Sequence, residues 1–165
     1  MAPRNSAPSS EDPHQFAVYA AEDESLPGGG RRFVAFADAQ DWVSSVVVDP
    51  WWSETFPSAP IDVDVERRSA TSTASVSHVA AAGDAALVKL HREHWHAVGA
   101  VHELAHIAAW SGAVAGEASH GTSFVTALLL LWRRHLGAHA YGALRSALVD
   151  RGVPFQNERL DRSTP

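Results

Sequence analysis

The chain has 165 residues, 45% hydrophobic and 19% charged, the balance of one globular domain with enough apolar side chains for a core. A net charge of −6 excludes a broad basic face, so direct nucleic-acid binding is not expected, a local patch at Arg133 and Arg134 apart. There is no cysteine, which excludes disulfides and thiolate ligands and leaves His and carboxylates as the donors for any metal.

Residues 1–13 are rich in Pro, Ser and Ala and are expected to be a disordered lead-in without the apolar core of a secretory leader. Residues 14–155 are expected to form a single domain and 156–165 a tail. His14 to Glu24 suits a helix, or in part a strand through Phe16, Val18 and Tyr19. Pro27 to Gly30 is a loop, and Phe33, Val34 and Phe36 suggest a short strand. Asp38 is placed to N-cap a helix to Val48, which Asp49-Pro50 closes. Trp51, Trp52 and Phe56 then fall in a Pro-rich connection. Ile61 to Val65 alternates apolar and polar residues, the mark of a half-buried strand. Ala74 to Ala80 and Ala85 to Leu90 are further strands, joined by a turn at Gly83-Asp84.

Trp95 to Trp110 has helical spacing and ends at Ser111-Gly112. Thr122 to Leu136 is a second helix ended by Gly137, and Ala138 to Val149 a third, with Gly152 and Pro154 beyond. Strands followed by helices predict an α+β domain, a small antiparallel sheet packed against a site-bearing helix and two C-terminal helices. The longest apolar run, Phe124 to Trp132, is too short to span a bilayer. No membrane association is expected, and a cytoplasmic protein is.

The chemistry concentrates in His102-Glu103-Leu104-Ala105-His106. On a helix this spacing sets His102 and His106 on one face, a turn apart, where two imidazoles reach one ion at about 2.0–2.1 Å. Glu103 flanks them as a general base rather than a ligand. At the chain's own residue frequencies the pattern arises by chance in about 3% of such chains, so its context must carry the reading. That context is an apolar helix, in which buried histidines need a purpose. A catalytic zinc wants a third protein ligand and an open position. The candidates are His120 and Glu117. His120 is favoured, with Gly121 allowing a sharp turn and Thr122 capping the next helix. Glu117 is read as solvated or as a partner of a ligand histidine. No Gly stands two residues after His106, so the metzincin signature is absent.

The residues HELAHIAAW at 102–110 and HGTSF at 120–124, with thirteen residues between His106 and His120, resemble the SprT/Spartan-like zincins. The whole chain, with VYAAED at 18–23, DAQDWVSSVV, FPSAP and IDVDVERR, resembles a family of small actinobacterial metallohydrolases of unassigned substrate. The resemblance covers about residues 13 to 155. It implies a zincin-like α+β fold and one Zn2+ held by His102, His106 and His120, with Glu103 as catalytic base. Thr122 departs from the Pro common after that family's HG. No zinc finger, basic tail or helicase-type module accompanies the motif, so a DNA–protein crosslink substrate is not implied.

The expected function is a zinc-dependent metallohydrolase, a peptidase acting on a peptide or protein substrate. The alternatives are a non-catalytic zinc-stabilised binding module and a hydrolase of a non-peptide amide. His91, His94 and His96 form a second cluster, read as a solvated turn rather than a second metal site. Trp42, Trp95, Trp110 and Trp132 are expected in the core, and Trp51-Trp52 there rather than in a substrate groove. Tyr141, Arg133 and His135 are the oxyanion candidates. The strand at Ala85 to Leu90 is a candidate edge for strand addition by a substrate peptide. Neither substrate identity nor oligomeric state is legible.

Overall fold

The computed structural model describes residues 12–157 except Thr73, Ser111, Val114 and Ala115. The lead-in expected at 1–13 therefore lies outside the described residues up to residue 11, as does the tail beyond Asn157. Helix α1, Gln15–Ser25, settles the first ambiguous segment as helical. It buries Val18, Ala21 and Glu22, a stripe at helical spacing that includes an acid.

The strand expected at Phe33 to Phe36 does not form. Arg32 makes a single antiparallel bridge to His96, and helix α2, Phe36–Val48, begins at once. The Asp38 carboxylate accepts the Ala35 N–H at 2.9 Å, so Ala35 is the N-cap residue and Asp38 caps from the third helical position. Asp49 ends α2 and caps α3, Pro50–Thr55, by accepting the Trp51 N–H at 2.8 Å. Pro50 at the first helical position has no N–H to lose, so a short helix replaces the expected connection. It drives Trp52 fully into the core, where the indole N–H donates to Pro60 O at 3.1 Å.

Strands β1, Asp62–Arg67, β2, Val76–Val79, and β3, Ala85–Leu90, form one sheet in the order β1-β3-β2. β2 and β3 make the expected hairpin, with Val79 opposite Ala86 and Gly83 at φ +75° in its loop. β1 runs parallel to β3, Val65 opposite Val88. The sheet is therefore mixed rather than antiparallel, because the chain leaves β1, passes to the far edge and returns between. This corrects a second expectation. β3 lies at the centre, paired on both sides, and β2 is an edge.

Helix α4, Ala97–Ala109, packs on β2 and β3 with one side and on α5, Thr122–His135, with another. Small residues (Ala97, Gly99, Ala100, Ala105, Ala108) let these neighbours approach closely. Helix α6, Ala138–Asp150, bridges α5 and α1. The described part is thus a mixed α+β domain of six α-helices and a three-stranded sheet. Among the described residues no helix is long and apolar enough to cross a membrane.

Trp132 is fully buried, while Trp42, Trp51 and Trp95 are half-buried against the core. Trp110 departs from expectation. It is 43% exposed, its ring passing over Gly83, where a Cβ would stand 2.7 Å from it.

Candidate metal centre

The α4 spacing does what elementary helix geometry requires. His102 and His106 set their rings edge to face along one side of the helix, with centroids 5.1 Å apart. His120 comes from the turn before α5 and closes the triangle at 5.2 Å from His102 and 4.9 Å from His106. One nitrogen from each ring lies within 4.8 Å of the other two, so His102, His106 and His120 are close enough to bind one metal ion. The Nε2 atoms of His102 and His120 are 3.2 Å apart. Two nitrogens on one tetrahedral ion would be separated by roughly 3.3 Å, given bonds of about 2.0–2.1 Å. Phe124, one turn into α5, packs its ring against all three imidazoles at 4.3–5.0 Å.

Protonation suits ligation as well. Burial first, and then the neighbouring His102 and His120, hold His106 well below the usual 6.5, leaving a neutral imidazole at neutral pH. Behind the other two rings stand carboxylates. Glu22 Oε2 lies 2.9 Å from His102 Nδ1, and Asp12 Oδ2 lies 2.6 Å from His120 Nδ1. With Nδ1–H donating to each acid, Nε2 carries the lone pair that a metal takes.

Glu103 is buried beside the trio. Burial raises its pKa to about 7; a hydrogen bond with Ser77 and the Arg68 charge oppose the shift, and the Glu22 charge adds to it. A carboxyl near neutrality is matched to taking up and releasing a proton. Glu103, His106 and His120 open onto a cleft of about 540 Å3. One wall is β2 together with Ser75, contributing five consecutive residues to Val79. The other carries Asp12, Gln15 and Tyr19, and Trp110 stands at the rim. Tyr19 also stacks on His102 at 5.0 Å with its ring 17° from parallel.

Glu117 is drawn to the start of α5. Its carboxylate accepts the Ser123 N–H at 2.7 Å and the Ser123 hydroxyl at 2.8 Å, capping α5 from outside the helix. Gly121, not Thr122, is the N-cap residue, and it has an ordinary φ of −78°. Its lack of a side chain serves space instead, since a Cβ there would come within 2.6 Å of the Glu117 carboxylate and 2.9 Å of Ala118 O.

The oxyanion candidates are not brought to the cleft. Arg133, in the last turn of α5, lies over the ring of Tyr141 in the first turn of α6 at 5.8 Å, and His135 packs edge-on against Trp42 and Trp51. Asp12, Glu22, Tyr19 and Ser77 are the site residues that sequence reasoning missed. For Glu22 a signal existed, an acid on the apolar stripe of α1. For Asp12, in a Pro- and Ser-rich stretch, there was none.

Compared with known proteins, the chain matches no family model, no curated sequence and no solved structure, so its functional reading stands on this geometry.

Proposed function

We propose that the protein is a zincin-like, zinc-dependent metallohydrolase acting as a peptidase, with His102, His106 and His120 holding one Zn2+ and Glu103 as general base. The observation that carries the proposal is the convergence of three imidazoles on one point with a buried, near-neutral carboxyl beside them and an open cleft in front. A structural zinc site has four protein ligands and no need of a base. Nitrogen donors without thiolate suit a borderline ion such as Zn2+.

When bound, zinc supplies Lewis acidity, lowering the pKa of water to about 7 and polarising a carbonyl. The protein's part is acid–base chemistry and positioning. Glu103 accepts the proton of the attacking water and returns it to the departing amine. The Ser77 hydrogen bond holds the carboxyl on the cleft side of α4. The five consecutive wall residues from Ser75 to Val79 show the cleft the edge of the sheet, where an extended peptide can add as a strand. This favours a peptide over a compact amide. It also moves the expected docking edge from β3 to β2.

The test combines metal analysis with a peptide library. The wild-type chain should hold one zinc and cleave peptides, and Glu103→Gln should keep the zinc while losing about 10²–10⁴-fold in rate. Full activity in the zinc-bound variant would remove Glu103 from the mechanism. Zinc held without any hydrolysis would leave a metal-stabilised binding module.

A further inference from the structure

The acids behind His102 and His120 come from far away in the chain, 80 and 108 residues upstream. Both come from the N-terminal stretch of the described chain. Asp12 lies just before α1 and Glu22 on its inner face. Neither has appreciable contact with water, at 8% and 3% exposure. Burying a carboxylate is costly unless a partner offsets the lost hydration. Docking α1 onto the core would need no acid at all, since Val18 and Ala21 already supply the apolar contact. The acids are aimed instead at the Nδ1 atoms of two rings whose Nε2 atoms face each other at 3.2 Å. With both protons on Nδ1, two lone pairs confront one another at that distance. The contact is repulsive without a cation and attractive with one. Charge agrees with this, because two carboxylates behind the rings offset a divalent ion.

We infer that Asp12 and Glu22 are positioning residues of the metal centre, fixing the Nδ1–H tautomer and the ring orientation of His120 and His102. Helix α1 is thereby part of the site rather than a peripheral brace. The inference rests on the metal reading above. It adds that metal binding and the docking of α1 are thermodynamically linked, since each strengthens the hydrogen bonds the other depends on.

The experiment is zinc affinity of the full chain by competition with a chromophoric chelator, with hydrogen exchange of the α1 amides with and without zinc. Asp12→Asn and Glu22→Gln keep size and a hydrogen-bonding oxygen. Each should weaken zinc by about 10- to 100-fold, and the slowing of α1 exchange by zinc should shrink in both. Variants that are less stable without metal yet bind zinc as tightly as the wild type would show a purely structural role and overturn the inference. Should either variant fail to fold, imidazole nitrogen NMR of the zinc-loaded wild type decides. His102 and His120 must carry their protons on Nδ1, and protons on Nε2 would overturn the inference. A wild type that binds no zinc removes the metal reading, and this inference with it, a result distinct from zinc-binding variants that match the wild type.

Discussion

The chain carries two trios of histidines within thirty residues of each other, and they behave oppositely. His102, His106 and His120 turn nitrogens toward a common point among apolar neighbours. His91, His94 and His96 have ring centroids 6.0–6.1 Å apart in sequence order, hardly farther than the first trio, yet each spends its Nδ1 on the backbone or a hydroxyl. His91 Nδ1 accepts the Glu93 N–H at 3.3 Å. His94 Nδ1 meets Ser75 Oγ at 2.8 Å. His96 Nδ1 accepts the Gly99 N–H at 3.0 Å, which caps the very helix that bears the metal motif. Proximity of imidazoles is thus not what distinguishes a metal centre. The difference is that the first trio brings one nitrogen of every ring near a shared point, with carboxylates anchoring two of the rings, His102 and His120, from behind.

The sharpest way to break this comparison is to remove a ring from each trio. His106→Ala should reduce zinc from one per chain to background by metal analysis. His96→Ala should leave zinc stoichiometry unchanged. Zinc lost equally in both variants would show that the second trio contributes to the centre. The expected cost of His96→Ala is in folding, about 0.5–2 kcal/mol of stability in chemical denaturation of the metal-free protein, the range for a lost N-cap. Glu117→Ala tests the cap on the other side of the site. It should cost about 1 kcal/mol through the Ser123 bonds, with much less effect on zinc than His106→Ala. Zinc loss on the scale of His106→Ala would instead make Glu117 a ligand.

The smallest effect concerns pH and a histidine outside both trios. Burial holds the His135 pKa below its ordinary 6.5, with the Arg134 charge adding to the effect and Asp49 opposing it. Its Nε2 is buried with no hydrogen-bond partner among the described residues. The unfolded chain takes up a proton near pH 6.5 that the folded chain refuses. The stability is complete above that value and is lost as pH falls from it through the depressed folded one. His135→Gln should therefore lose less Tm between pH 7 and pH 5 than the wild type does, measured on metal-free protein. An identical loss would mean that His135 does not contribute to the acid sensitivity.

Most of the candidate site was legible because it is local. HExxH is one helix turn, and His120-Gly121 follows within a short break. What escaped was non-local. Asp12 and Glu22 meet their histidines across 108 and 80 residues, and nothing in a periodicity announces such a pairing. The strands were legible for the same reason, while their order was not. Alternation along Asp62–Arg67 fixes which residues face inward but not which strand lies alongside, so the parallel β1–β3 pair and the edge position of β2 come only from the assembled fold. Asp38 and Thr122 show a finer limit. Neither is the N-cap residue: Asp38 reaches back from the third helical position to the Ala35 N–H, and Thr122 is the first residue of a helix whose N-cap is Gly121 and whose Ser123 N–H is held by Glu117.

A centre made only of imidazoles, backed by carboxylates, has a chemical consequence outside catalysis. Zinc sites built on thiolates release their metal when sulfur is oxidised, which makes them responsive to peroxide. This chain has no sulfur donor at the site and no cysteine anywhere, and its single Met is the first residue. Its hold on a metal would be indifferent to oxidant over the range that empties cysteine-ligated sites. Control of occupancy would pass to acidity and to competing chelators.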